Sequence, residues 1–94
     1  MSDYWVKDSE GNIVSIRELM NKIDTLGAIK TTYNQIISYL FPAGRIILSK
    51  NPEDKAFLEI YPKSNYTSNK ERAKEEHKRL VDKVQSFKFV LEKI

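Results

Sequence analysis

The stretch Phe41-Pro42-Ala43-Gly44 constrains this chain more than any other. Proline lacks a backbone donor and glycine leaves the helical region easily, so no helix is expected to cross it. Before it, apolar residues recur at helical spacing; after it, they crowd into short β-prone runs. Ile16, Leu19, Met20, Ile23 and Leu26 predict a first helix, with Ser15 as N-cap and Glu18 three residues on, as in a capping box. Gly27 interrupts. Ile29, Tyr33, Ile36, Ile37 and Leu40 predict a second helix that stops at Phe41. Beyond the break, Arg45–Ser49 and Ala56–Tyr61 predict a β-hairpin around the polar turn Lys50-Asn51-Pro52-Glu53-Asp54-Lys55.

Two further segments frame this middle. Near the N-terminus, Tyr4–Lys7 and Ile13–Ser15 are short β-prone runs about Gly11-Asn12, equally consistent with a hairpin or an extended arm. Trp5 is expected to pack on the core. After a loop at Pro62–Tyr66, the chain has no glycine or proline, and one long helix is expected from Thr67 or Ser68 to Ile94. At about 1.5 Å per residue it would span about 40 Å. Ala73, His77, Leu80, Val84, Phe87, Leu91 and Ile94 follow alternating steps of four and three, a heptad seam that Val81 and Val90 widen. The seam leaves open whether its partner helix is in the same chain. The helix's length favours a second chain, giving a homodimer held by Leu80, Val84, Phe87, Leu91 and Ile94, in the manner of a coiled coil.

The 94 residues, 31% of them charged, include no cysteine, and the net charge is +3. One small α+β domain is expected over residues 1–66, followed by a dimerisation helix over 67–94. A chain this short buries only about 60% of its unfolded surface, and without disulfides oligomerisation is the usual reinforcement. The absence of cysteine, of a signal-peptide pattern and of a long apolar run points to a soluble cytoplasmic protein. Charge is uneven. Residues 1–28 hold five acids and three bases, residues 29–63 five bases and three acids, and residues 64–94 eight bases and five acids. A mild basic surplus permits a nucleic-acid partner without requiring one.

The order helix, glycine turn, helix, hairpin resembles the winged helix-turn-helix DNA-binding proteins over residues 13–63. Leu26-Gly27-Ala28-Ile29-Lys30-Thr31-Thr32-Tyr33-Asn34-Gln35-Ile36-Ile37-Ser38-Tyr39-Leu40 looks like the turn and recognition helix of many repressors. Asn51-Pro52-Glu53-Asp54-Lys55 resembles the wing of MarR-type repressors, keeping the proline, the second acid and one base but not the arginine pair. The resemblance implies a transcriptional regulator on double-stranded DNA. Lys30, Thr31, Asn34, Gln35 and Ser38 would enter the major groove, and Arg45, Lys50 and Lys55 would hold the backbone. On this reading Lys55 takes the place of the wing arginine. The plainer reading of both segments is a helical hairpin with a solvated polar face and a surface turn.

Other chemistry is weakly signalled. Lys70, Arg72, Lys74 and Lys78 read as a solvated helix face, the alternative being phosphate contacts. His77, the single histidine, is open to a pH-sensitive role but reads more simply as an ordinary position at the edge of the seam. With no second histidine or cysteine, no metal and no cofactor is expected. No phosphate loop, nucleophile elbow or buried acid pair is present, so no enzymatic activity is expected. The competing functional reading is a small protein-binding module or inhibitor of viral origin.

Overall fold

The computed structural model describes residues 2–65 and 67–94, Ser2 by its backbone alone. Met1 and Tyr66, the ends of the expected winged-helix unit, lie outside the described residues. Six strands and two helices follow one another as β1 (Ser2–Lys7), α1 (Ile16–Asp24), β2 (Ile29–Tyr33), β3 (Ile36–Phe41), β4 (Gly44–Ser49), β5 (Phe57–Pro62), α2 (Lys70–Gln85) and β6 (Val90–Lys93). The strands form one antiparallel sheet in the order β2-β3-β4-β5-β1-β6.

This corrects the winged helix-turn-helix expectation. The expected recognition helix, residues 29–40, is instead the hairpin β2–β3, with Tyr33 paired to Ile36 and Ile29 to Leu40. Isoleucines, threonines and tyrosines crowd the segment, and such side chains pack better on a pleated sheet than along a helix. The spacing that looked helical also contains a strict alternation: Ile37, Tyr39 and Phe41 are buried, while Ile36 and Leu40 are exposed. Asn34 takes a φ of 55°, which asparagine tolerates, and closes the two-residue turn with Gln35. Nor does Phe41-Pro42-Ala43-Gly44 stop a helix; it turns one strand into the next, with Phe41 paired to Gly44.

The expected hairpin at residues 45–61 is β4–β5, but it is no free wing. It lies inside the sheet, flanked by β3 and β1. Its turn is tied down by Asn51, which accepts from the Lys55 amide at 3.1 Å and donates to the Lys55 carbonyl at 2.9 Å. It is also held to the start of α1 by the Ile16 amide on the Asp54 carbonyl.

Both helices cover the same sheet face. Helix α1 begins where Ser15 accepts from the Glu18 amide at 3.0 Å, and it buries Ile16, Leu19 and Ile23. The Tyr39 hydroxyl reaches past the core to donate to Asp24 at 2.6 Å, so β3 holds the end of α1. Helix α2 buries Glu76, Leu80 and Val84 and packs on β4 and β5. Burying Glu76 requires partners: its carboxylate accepts from the Ser64 amide at 2.8 Å and hydroxyl at 3.3 Å and lies 3.6 Å from Arg72.

The long C-terminal helix is likewise corrected. It stops at Gln85, Lys88 turns the backbone at a φ of 67°, and β6 returns beside β1. Phe87, Phe89 and Val90 make the segment β-prone just there, and the side of β1 not paired to β5 offers a ladder to join. The heptad seam therefore breaks up. Leu80 and Val84 are fully buried in their own chain, Phe87 packs on the edge of the core, Leu91 lies opposite Val6, and Ile94 is exposed.

Gly44 sits at a φ of 146°, and a Cβ there would lie 2.2 Å from the Tyr61 carbonyl oxygen. Gly44→Ala is expected to cost at least about 2 kcal/mol, lowering the Tm by roughly 8 °C or more in thermal unfolding followed by circular dichroism; an unchanged Tm would contradict this packing.

His77 is hydrogen-bonded through Nε2 to the Tyr4 hydroxyl at 3.0 Å and is half-buried. Burial first, and the positive charge of Lys93 second, hold its pKa below the ordinary 6.5. The unfolded chain thus takes up this proton more readily than the folded one. Stability is expected to fall as pH drops from 6.5 to the lowered folded-state pKa, and no further on this group's account below it. Urea unfolding of the wild type and His77→Phe at pH 7 and pH 5 checks this: the variant should lose less stability between the two.

Candidate functional site

The face of the sheet turned away from the helices is built by the same alternation that fills the core. Strand register sets Ile29, Leu40, Arg45 and Tyr61 in one row across β2–β5. A second row runs Thr31, Ser38, Ile47, Glu59 and Asp3, across to β1. A third begins with Tyr33, Ile36 and Ser49, and further along Phe57, Trp5 and Glu92 lie side by side. No described element packs over these side chains.

The face is largely apolar and aromatic. Ile29 is 67% exposed, Tyr33 75%, Ile36 47% and Leu40 41%. Trp5 meets Phe57 edge to face with ring centroids 5.4 Å apart. Beside the β3–β4 turn, Leu26, Ile29, Leu40, Ile47 and Tyr61 line an open depression of about 1180 Å³, bordered by Arg45. That exceeds the roughly 300–1,000 Å³ of small-molecule pockets, and its apolar wall suits a macromolecular surface better. Apolar side chains gathered on one exposed face, rather than scattered singly, mark candidate interaction surfaces.

Charge on this face is sparse and nearly balanced: Asp3, Glu59 and Glu92 against Lys7 and Arg45, with Lys63 beside Arg45 at the depression. Lys7 pairs with Glu92 at 2.5 Å. Asp3 and Glu59 are direct neighbours across β1–β5. The Tyr61 hydroxyl donates to Glu59. Asp3 Oδ1 is buried without a hydrogen-bond partner among the described residues.

The residues expected to hold DNA are divided among the open face, the helix side and the two turns. Lys30 faces the helix layer and pairs with Asp24 at 3.2 Å. Hydrogen bonding from Tyr39, with Lys30 adding to it, holds the Asp24 carboxyl below its usual range. Burial, then the Asp24 charge, pushes the Tyr39 hydroxyl well up. Thr31, Ser38 and Arg45 belong to the open face. Asn34 and Gln35 form the β2–β3 turn, where the Gln35 carbonyl accepts from the Lys50 amide at 2.7 Å. Lys55 pairs with Glu53 at 3.0 Å, at the opposite side of the β4–β5 turn. Among the described residues no group of three or more His, Asp or Glu is placed to hold a metal ion, and no helix is long and apolar enough to cross a membrane.

Reading the second segment as a helix hid this face. The overlooked signal lies in adjacent apolar pairs, Ile36-Ile37, Leu40-Phe41 and Ile46-Ile47. A strand apolar on both sides of its pleat is adapted to cover on both faces, and the two helices cover one.

Because Tyr33 and Ile36 are exposed and support no core contact, Tyr33→Ser and Ile36→Ser together are expected to leave the Tm within roughly 3 °C of wild type. Binding of a hydrophobic dye to the native protein should fall clearly. A large loss of Tm would assign these side chains to stability instead.

Compared with known proteins, the chain matches no protein-family model, and neither a curated protein nor a solved structure matches it.

Proposed function

We propose that this chain is a non-enzymatic protein-interaction module that binds its partner on the open face of the sheet. The observation that carries the reading is the exposed apolar band of Ile29, Tyr33, Ile36 and Leu40, continued inward by Ile47, Phe57 and Trp5. Buried aromatic and aliphatic anchors supply most of the energy of protein interfaces. The acidic pair Asp3–Glu59 in the middle of the face, with one oxygen unpartnered, adds a preference. It suits a partner that brings a lysine or arginine within an apolar surround.

Phosphate backbones call for a basic surface, and on this face acids and bases are nearly balanced. The helix layer carries the exposed bases Lys70, Arg72, Lys74, Lys78 and Arg79, interspersed with Glu71, Glu75 and Asp82. That mixture suits a solvated surface.

Trp5, the single tryptophan, lies on the proposed surface and serves as the reporter. Proteins retained by the immobilised chain are identified, purified and titrated against it, following Trp5 emission. A specific partner should perturb the emission, bind Lys74→Glu/Lys78→Glu normally, and bind Leu40→Ser/Ile47→Ser at least about tenfold more weakly. Random-sequence duplex DNA across a salt series is the counter-test. Salt-sensitive binding lost in the lysine variant and kept in the Leu40/Ile47 variant would overturn the proposal in favour of a nucleic-acid role.

A further inference from the structure

The two edges of the sheet are treated differently. Strand β6 is short, carries Glu92 and Lys93, and has Glu92 tied to Lys7. Strand β2 has only one of the usual protections of a free edge, the lysine Lys30. It contains no proline, all five of its residues are exposed, and its one charge, Lys30, is drawn to Asp24 on the helix side. Apart from Val90 and Ile94 near the C-terminus, the exposed large apolar side chains, Leu26, Ile29, Tyr33, Ile36 and Leu40, gather at this edge.

The sequence of β2 is complementary to itself. Laid antiparallel against a second copy and centred on Thr31, Ile29 meets Tyr33 of the second copy, Lys30 meets Thr32, and Thr31 meets Thr31. Each relation occurs twice about a two-fold axis, except the central one. Aromatic with β-branched and threonine with threonine are favourable cross-strand pairs, and no like charges are opposed. A closed two-fold pairing also uses up the free edge, so no further copies add.

We propose that a second copy of this chain occupies the β2 edge, joining two six-stranded sheets into one twelve-stranded sheet. The open faces of the two copies then form one continuous surface, with Ile36 and Leu40 of each flanking the axis. The pairing rests on the edge backbone and on β2. It shares Ile29 and Tyr33 with the proposed interaction face but does not depend on that reading.

Sedimentation velocity on the full chain tests it. The wild type should be a dimer in the micromolar range, and Thr31→Lys, which sets two ammonium groups against each other on a solvent-exposed position, should weaken dimerisation at least about tenfold. Thr31→Glu should do the same. Mixing the two variants should restore a dimer, because only pairing centred on this residue brings the opposite charges together. Val90→Lys, on the far edge, should leave the dimer intact, and circular dichroism confirms that each variant is folded. A monomeric wild type, a dimer indifferent to Thr31→Lys, or a mixture that stays monomeric would each overturn the inference. The interaction face fails separately, through the Leu40→Ser/Ile47→Ser variant, so the two readings are told apart.

Discussion

The alternation that turns Val6, Ile37, Tyr39, Ile46, Leu48, Leu58 and Ile60 to one side of the sheet is the constraint on which the other features depend. Each fully buried Val, Leu or Ile contributes about 1.5–3 kcal/mol, in molecules whose net stability is only about 5–15 kcal/mol. A one-residue slip in any inner strand would carry its buried set to the open face and expose a large part of that total. Tyr39 shows how the constraint reaches outward. Its ring lies in the core, and its hydroxyl emerges at the rim to hold Asp24, which in turn attracts Lys30. One buried side chain thereby connects β3, the end of α1 and the start of β2.

The C-terminal third follows from the same requirement. The inner face needs cover across β4 and β5, and α2 supplies it with Leu80 and Val84. Once these are buried within the chain, they have no surface left to offer a second helix. Beyond α2 the chain returns as β6, so β1 lies between β5 and the last residues of the described structure. Val6 and Leu91 thus set strands far apart in the sequence side by side.

Covering one face leaves the other to face water, and there the residue types do not match a solvated surface. Antiparallel sheets with one wet face usually alternate apolar with polar residues. Strands β3 and β4 instead set Ile36, Leu40 and Ile47 outward, opposite the buried Ile37, Tyr39 and Ile46. These exposed apolar side chains are the ones on which the proposed interaction face rests. The acidic pair at Asp3 and Glu59 gives that surface a polarity of its own, distinct from the mixed charges of the helix layer.

Local signals in the sequence were enough for some elements. Ser15 with Glu18 set the start of α1, the β-rich runs at residues 45–49 and 56–61 set β4 and β5, and Tyr4–Lys7 anticipated β1. Capping chemistry at α1 and β-branched density at β4 and β5 left one reading, whereas Tyr4–Lys7 suited a hairpin or an extended arm equally. Residues 29–41 satisfied both a helical and a two-residue period, and residues 86–94 continued a heptad spacing. In both, pairing decided: β3 found β4 beside it, and β6 found the free side of β1. The open face was legible only as paired apolar residues along single strands, since which side of a strand is covered depends on where α1 and α2 come to rest. Residue spacing determines what can share a face; only the packed structure determines which face meets water, because burial is a property of neighbours that are distant in the chain.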